Sequence, residues 1–512
     1  MSRRVRLLFG ILLTALSLAL LLSLFSWKTY PVQADETTVA WLARQTAEGR
    51  VPYRDFFCFY PPLTTYGLAA LLKAAGPPLA AFRLLCVFAL LASTLLAYGL
   101  LLRREWPAPW AAALALQIPA LLVPFWPVAS HHWLALAAGL SALALFERAE
   151  RLPSPGRHLL AGFVAGLSAL TLQSDGLFFS VLVFALALSA PAPFSRERLR
   201  AVGALALGEA LAAGLAALFL LLQGTLGDAL YNLVLWPSRY YKQAGGFNDV
   251  KFPAALASEV ASRALGKPPL EAAAGLLPLV GLLLLAGWAF ASVLFSRDWA
   301  CAGERFPRRW AASLAALLAA LLLFLTGRPD WTHFAFSVPF FAASALAARR
   351  RGEAPAPSPA LKGLLLFLLL LALVRWPGAL RSRPPLLADL LSVDQKVEAH
   401  STPRILAQRP DIVAGRKAVV CLPRGATLYL YWAPVPPPLD WVQPPSQRAN
   451  APWEFALLAA FLEEHRIPLV LIRREYVQGF LGEPSPLARV LREKYHPAGS
   501  FDVGELYERN AP

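Results

Sequence analysis

Long apolar runs dominate the pattern of hydrophobic and polar positions along the chain. Eleven of them are predicted to form membrane-spanning helices: Leu7–Trp27, Ala81–Leu102, Trp110–Phe125, Val128–Phe146, Leu159–Leu172, Leu177–Ala190, Ala201–Leu222, Ala272–Phe295, Ala311–Leu325, Phe334–Ala348 and Leu361–Val374. The first run has about 20 residues, which is enough to cross a bilayer. A signal peptide has a shorter apolar region, so the first run is interpreted as an uncleaved anchor.

Short arginine clusters separate many of these runs, as cytoplasmic loops require under the positive-inside rule. The loops that hold Arg148–Arg157 and Arg196–Arg200 should both be cytoplasmic. Leu159–Ala190 is therefore predicted to be a hairpin that turns outside at Gln173–Gly176. The same reasoning makes Ala311–Ala348 a hairpin. We expect a multi-pass protein of the cytoplasmic (inner) membrane, with a cytoplasmic N-terminus and an extracytoplasmic C-terminal domain.

The composition supports a membrane protein and affects how the positive net charge is interpreted. The chain has 512 residues, of which 57% are hydrophobic and 16% charged; soluble proteins have about 25% charged residues. The net charge is +16, which in a soluble protein would favour nucleic-acid binding. Since the arginines lie between apolar runs, the charge is interpreted as a topology signal, and no nucleic-acid partner is expected.

Two regions follow from this pattern. Residues 1–375 are predicted to form an all-α polytopic membrane domain, with outer loops at residues 28–78 and 223–271. Residues 376–512 are predicted to form a small α/β domain, because apolar stretches at Lys417–Leu422 and Pro468–Ile472 flank the amphipathic stretch Trp453–His465. Within the proposed topology, a disulfide between Cys58 and Cys421 is possible.

The first outer loop carries the strongest chemical signal. Asp35-Glu36 directly follows the first span, and a carboxylate there could accept a proton from an attacking hydroxyl. Alternatively, Asp35 caps a helix that starts at Thr37. The loop continues with Arg50-Val-Pro-Tyr-Arg-Asp-Phe-Phe and Tyr60-Pro-Pro-Leu.

This loop resembles that of the GT-C superfamily of membrane glycosyltransferases, in particular the family-39 type, which includes protein O-mannosyltransferase-like and lipid A aminoarabinose transferase-like enzymes. The resemblance implies a hydrophobic helical bundle with two interfacial helices in the first outer loop. It also implies inverting transfer of a sugar from a polyprenyl-phosphate donor to a lipid, glycan or protein acceptor at the outer face. Membrane lipid is then a further partner, and no metal or other cofactor is required.

The resemblance also implies roles for individual residues. Asp35 resembles the catalytic base and Glu36 its neighbour, whereas Tyr60 stands where the family has histidine. Arg83 matches a recurrent arginine at the start of the second span. The departing phosphate calls for positive charge, and the outer-side candidates for substrate binding are Arg54 with its neighbour Asp55, Arg239, Lys242, Arg328 and His333.

Several alternatives remain open at this stage. Arg328 could contact phosphate or anchor the interface with Trp331, and His333 could carry a proton or merely lie at a helix end. The loop Trp236–Lys242 could be a lid over the donor or an aromatic belt. Glu209, inside a span, is a functional candidate or bonds to a neighbouring helix. At the level of function, a flippase or transporter of lipid-linked saccharides and a non-catalytic assembly protein on the same scaffold are the rivals.

Overall fold

The computed structural model describes residues 2–24, 34–76, 78–123, 126–189, 195–240, 260–261, 265–294, 306–326, 331–348, 363, 419–422, 451–501 and 504–511. The chain separates into two compact units. One comprises Met1–Ser26, Leu84–Ala216 and Val250–Pro385, and the other comprises Trp27–Arg83, Ala217–Asp249 and Leu386–Pro512.

Helices occupy ten of the eleven predicted spans. They are α1 (Arg3–Leu24), α4 (Pro78–Arg103), α5 (Ala108–Ala115) followed by a π-helical turn (Ile118–Leu122), α6 (His131–Arg151), α7 (Pro155–Thr171), α8 (Gln173–Leu188), α9 (Arg196–Leu222), α12 (Pro269–Leu294), α13 (Phe306–Thr326) and α14 (Trp331–Ala348). Of these, α1, α4 and α9 are long and apolar enough to cross a membrane by themselves. Except for Gly363, the eleventh run, Leu361–Val374, lies outside the described residues.

The first predicted hairpin is present, but its turn is tighter than expected. Residues 173–176 are not a loop, because they form the first turn of α8, and only Leu172 separates α7 from α8 in an extended conformation. Gly176 makes the tight turn feasible, since a Cβ atom there would lie 2.1 Å from backbone atoms of Ala169. The helices of the second hairpin, α13 and α14, pack together, whereas its turn at residues 327–330 lies outside the described part of the chain.

The loops at residues 28–78 and 223–271, which the sequence predicts to be outer loops, both contain short helices. The first loop holds α2 (Ala34–Ala47) and α3 (Pro62–Ala75), which pack against each other and confirm the two predicted helices. The second loop continues from α9 into α10 (Leu226–Leu230), a π-helical turn (Tyr231–Leu235) and α11 (Trp236–Arg239). Gly49 ends α2 with a φ of 98°, a left-handed conformation that glycine adopts without a Cβ penalty.

The C-terminal region forms a four-stranded sheet with helices, which confirms the predicted α/β character. Its strands β1 (Val419–Leu422), β2 (Leu469–Arg473), β3 (Tyr495–Phe501) and β4 (Gly504–Arg509) are arranged in the order β1-β2-β4-β3. The β1–β2 pair is parallel and the other two pairs are antiparallel.

Three helices of this region, α15 (Pro452–Glu464), α16 (Val477–Gly482) and α17 (Pro486–Lys494), accompany the sheet. The buried core joins Phe455, Leu458 and Leu462 of α15 to Val470 and Ile472 of β2. The sequence pattern predicted β1, α15 and β2 but not the β3–β4 hairpin, because the sequence of β3 mixes proline, glycine and polar residues without alternation.

Candidate functional site

The acidic pair Asp35-Glu36 lies in the first turn of α2. The helix begins at Ala34, three residues earlier than expected, so Asp35 is a helical residue and the interpretation of a cap before Thr37 is wrong. The N-terminal end of a helix carries partial positive charge, which stabilises carboxylates in the first turn. The side chain of Asp35 lies outside the described part of the structure.

A buried ion pair joins this turn to the start of α4. Arg83 donates from Nε to Oε1 of Glu36 and from a terminal guanidinium nitrogen to Oε2, both at 2.7 Å. The two side chains are 1% and 0% exposed. Such a bidentate contact fixes orientation as well as distance. Since Glu36 adjoins Asp35 in the chain, the pair also fixes the backbone that carries Asp35.

A second arginine–carboxylate pair lies further along the first loop and is open to solvent. Arg54 donates from Nε to Asp55 at 2.8 Å, and the two side chains are 52% and 32% exposed. Asp55 also accepts a hydrogen bond of 2.7 Å from the backbone N–H of Val51. The Arg54 guanidinium, to which it is bonded, lowers the pKa of the Asp55 carboxyl group.

Tyr53, which the sequence reasoning missed, organises the turn that presents Arg54. Its φ of 72° is unusual for a residue with a large side chain. Its buried hydroxyl donates to the carbonyl of Tyr60 at 2.8 Å, and its own carbonyl accepts from the Asn232 side chain of the second loop at 3.5 Å. Burial raises the pKa of the Tyr53 hydroxyl far above its ordinary value. No pattern in the sequence signals this role.

Tyr60 and its neighbours form a packed support. The Tyr60 ring is buried and stacks on Phe59, with ring centroids 4.5 Å apart. Cys58 is buried beside Thr65, and burial raises the pKa of its thiol to about 11. A thiol that stays protonated at neutral pH is a poor nucleophile. Cys58 and Cys421 are both free, so the disulfide left open by the sequence does not form.

The second outer loop is tied to the C-terminal region by Trp236. This side chain is buried, and its Nε1 donates to Oε1 of Glu454 on α15 at 2.8 Å. Phe57 and Phe59 of the first loop pack on the same ring. Trp236 is therefore neither an exposed belt residue nor part of an unattached lid. Arg239, at the end of α11, is exposed to solvent, while Lys242 lies outside the described residues.

The remaining candidates lie on the other unit. Arg328 and the side chain of His333 are outside the described structure. His132 of α6 and Asp175 of α8 come together: Nδ1 of His132 is 3.3 Å from Oδ2 of Asp175. Glu209 lies inside α9, and its Oε1 atom is buried without a hydrogen-bond partner among the described residues. Among the described residues, no group of three or more histidine, cysteine, aspartate or glutamate side chains has the arrangement of a metal site.

Taken together, the apolar helices, the two helices of the first outer loop and the C-terminal sheet define a GT-C-like fold in a polytopic membrane protein. No protein-family model and no protein of curated function matches the chain by sequence.

Among solved structures, the chain is similar to ArnT from Cupriavidus metallidurans, crystallised bound to undecaprenyl phosphate. The sequence identity is 13%, the TM-score is 0.57, and the match covers 98% of both chains. It also matches, with a TM-score of 0.47 and 12% identity, an Archaeoglobus fulgidus oligosaccharyltransferase tethered to an acceptor peptide, covering 100% of this chain and 74% of that one. The second likeness is too weak to carry an argument.

Proposed function

We propose that the protein is an inverting glycosyltransferase that moves a sugar from a polyprenyl-phosphate donor to a lipid, glycan or protein acceptor at the outer face of the cytoplasmic membrane. The observation that carries the proposal is the first turn of α2, where Asp35 adjoins a glutamate locked to Arg83. The GT-C-like fold and the apolar helices support a substrate that stays in the membrane. In this proposal residues 1–375 carry the reaction, and residues 376–512 form an extracytoplasmic domain.

The proposed reaction is a single displacement. The acceptor oxygen attacks the anomeric carbon, its proton passes to Asp35, and the bond to the phosphate oxygen breaks with its electron pair leaving on the phosphate. One base suffices, because no sugar–enzyme intermediate forms. Glu36 and Arg83 hold the α2 turn in place, while Arg54, Arg239, Lys242 and Arg328 are the candidates that stabilise the phosphate. The roles of Asp55, Tyr60 and His333 in substrate binding belong to the same proposal.

Arg54 is the described cation best suited to phosphate. Its side chain is about half exposed and forms an ion pair with the neighbouring Asp55, which also accepts a hydrogen bond from the backbone of Val51. Asp55 thereby restrains the position of the Arg54 guanidinium without burying it. A guanidinium can bind phosphate through parallel hydrogen bonds, so the ligand would share Arg54 with Asp55.

The decisive experiment compares wild type with Asp35→Asn in membranes supplied with radiolabelled polyprenyl-phosphate sugars. We expect loss of transfer at unchanged expression, because asparagine cannot accept the proton. Glu48→Gln is the matched control, since Glu48 follows the last turn of the same helix and forms an ion pair with the half-buried Arg44. Full transfer by Asp35→Asn would refute the assigned base. Absence of transfer by wild type with every donor, together with movement of the labelled lipid across the bilayer, would support the flippase alternative.

A further inference from the structure

The helix α15 of the C-terminal region is apolar on both faces over its first two turns. Phe455, Leu458 and Leu462 pack into the core next to the sheet. The opposite face exposes Trp453, Ala456, Leu457 and Ala460, which are spaced as neighbours along one side of a helix. The exposed fractions of Trp453 and Leu457 are 42% and 39%. A surface helix normally carries polar residues on this face, so the face needs a partner.

The second outer loop contributes to the same surface. Nε1 of Trp453 donates to the Tyr231 hydroxyl at 3.0 Å, and the two rings lie 6.0 Å apart. Leu230, Val234 and Leu235, which surround Tyr231 in the chain, are all more than 40% exposed. We call Leu230, Val234, Leu235, Trp453 and Leu457 the Trp453 surface. Large apolar side chains grouped in this way mark an interaction site.

The chain itself indicates the partner. Leu221 and Leu222 end the membrane-spanning helix α9 with exposed fractions of 60% and 79%, and such side chains face lipid. Only Gln223, Gly224 and Thr225 separate them from the helix that bears Leu230. Along the chain, exposed apolar side chains thus follow one another from the end of α9 to the Trp453 surface, with the exposed Asp228 between them. Tryptophan is also enriched where one end of a side chain meets hydrocarbon and the other meets polar groups.

The polar ends of α15 agree with this orientation. Glu463 and Glu464, at its C-terminal end, are exposed to solvent, and carboxylates avoid the hydrocarbon boundary. We propose that the C-terminal domain rests on the outer membrane interface through the Trp453 surface, with lipid headgroups and the upper acyl chains as its partner. The loop and the domain then move as one body at the bilayer surface, joined by the Trp236–Glu454 and Trp453–Tyr231 hydrogen bonds. This inference does not depend on the proposed transferase activity.

Spin labels at two positions of α15 test the inference in the full-length chain reconstituted into nanodiscs of phosphatidylethanolamine and phosphatidylglycerol. One variant is Leu457→Cys, and the matched control is Glu464→Cys, which lies two turns further along the same helix. All three chains carry Cys301→Ser, and the chain with this change alone sets the labelling background, since Cys58, Cys86 and Cys421 are buried. Collisions of each label with oxygen, which concentrates in lipid, and with a water-soluble nickel chelate are measured by electron paramagnetic resonance.

We expect the ratio of oxygen to nickel collisions to be severalfold higher at position 457 than at position 464. Equal access of the nickel chelate to both labels would overturn the inference, because the surface would then face water. Protection of position 457 from both probes would also overturn it, because that outcome indicates a protein partner or a second copy of the chain. Neither outcome would bear on the Asp35 assignment, which is read from sugar transfer.

Discussion

Two arginine–carboxylate pairs, one within the loop at residues 28–78 and one between that loop and α4, have the same chemistry and opposite surroundings. The Glu36–Arg83 pair is bidentate, and its side chains are at most 1% exposed. The Arg54–Asp55 pair joins adjacent residues and remains between about one third and one half exposed. Two charges removed from water must keep their partner, whereas exposed charges exchange theirs with solvent at little cost.

Because of this difference in burial, the two pairs have different structural roles. The buried pair holds two segments separated by 47 positions in the sequence, the first turn of α2 and the start of α4. The open pair anchors a local turn and leaves a guanidinium accessible to an anion. A scaffold and a binding group can therefore be built from the same residue types, and burial decides which one results. Substitutions in these pairs can remove a buried charge, change the hydrogen-bond geometry or alter an exposed contact.

Removal of one partner of the buried pair should have the largest effect. Arg83→Met removes the cationic partner of the buried Glu36 carboxylate, so we expect a loss of about 3–5 kcal/mol in the free energy of unfolding. The midpoint of thermal unfolding of the detergent-solubilised chain should fall accordingly. A change no larger than that caused by an exposed substitution would show that water reaches the pair.

The double variant Glu36→Leu with Arg83→Met provides the control for this prediction. Apolar side chains of similar volume often replace a buried ion pair without loss, so the double variant should recover most of the stability lost in either single variant. If the losses simply add, the two residues are not coupled and the bidentate contact does not describe the folded state.

The conservative change Arg83→Lys should have an intermediate effect. The positive charge remains, but an ammonium group cannot reproduce the two parallel hydrogen bonds to Glu36. We expect a loss of about 1–3 kcal/mol, the range for a buried polar group that loses one bond. Unfolding midpoints of the two Arg83 variants, measured together, check the order. A lysine variant as unstable as Arg83→Met would mean that geometry, rather than charge, accounts for the whole contribution.

The sequence predicted the buried pair's members but not their contact. Asp35-Glu36 stood out as two carboxylates directly after the first span, and Arg83 because of the resemblance to a known superfamily. Ten spans were visible because lipid requires continuous apolar runs. The bond between Glu36 and Arg83, the Trp236–Glu454 bond and the role of Tyr53 depend on packing between distant segments. Contacts between distant segments leave no repeating pattern of hydrophobic and polar residues in a single sequence. The β3–β4 hairpin was missed for a local reason, because its strands lack apolar alternation.

Disruption of the open pair should cost less and should depend on pH. Asp55→Asn removes the ionic contact with Arg54 and weakens the bond to Val51, so we expect a loss below about 1 kcal/mol at neutral pH. Because the pKa of Asp55 is lowered in the folded chain, its contribution is present above the ordinary carboxyl pKa of about 3.9. It disappears as the pH falls through the folded value.

Unfolding midpoints of wild type and Asp55→Asn should therefore differ at neutral pH and converge in acid below about pH 4. Glu464→Gln, at an exposed helix end in the C-terminal region, controls for the general effect of removing a negative charge. A difference between wild type and Asp55→Asn that grows as the pH falls would contradict the assigned direction of the pKa shift.

The smallest effect is expected at a third pair, which lies in the same loop and is also exposed. Arg44 and Glu48 interact one helical turn apart at the end of α2, with side chains 43% and 48% exposed and a separation of 2.7 Å. Despite this short distance, solvent screening limits such pairs to about 0.3–0.5 kcal/mol. Arg44→Gln should leave the unfolding midpoint close to that of wild type and should leave sugar transfer unchanged. In the same assay Arg54→Gln should raise the apparent KM for the donor, since of these two arginines only Arg54 is proposed to contact phosphate. Equal losses of transfer in both variants would show that net positive charge in the loop, rather than the position of Arg54, is what the donor requires.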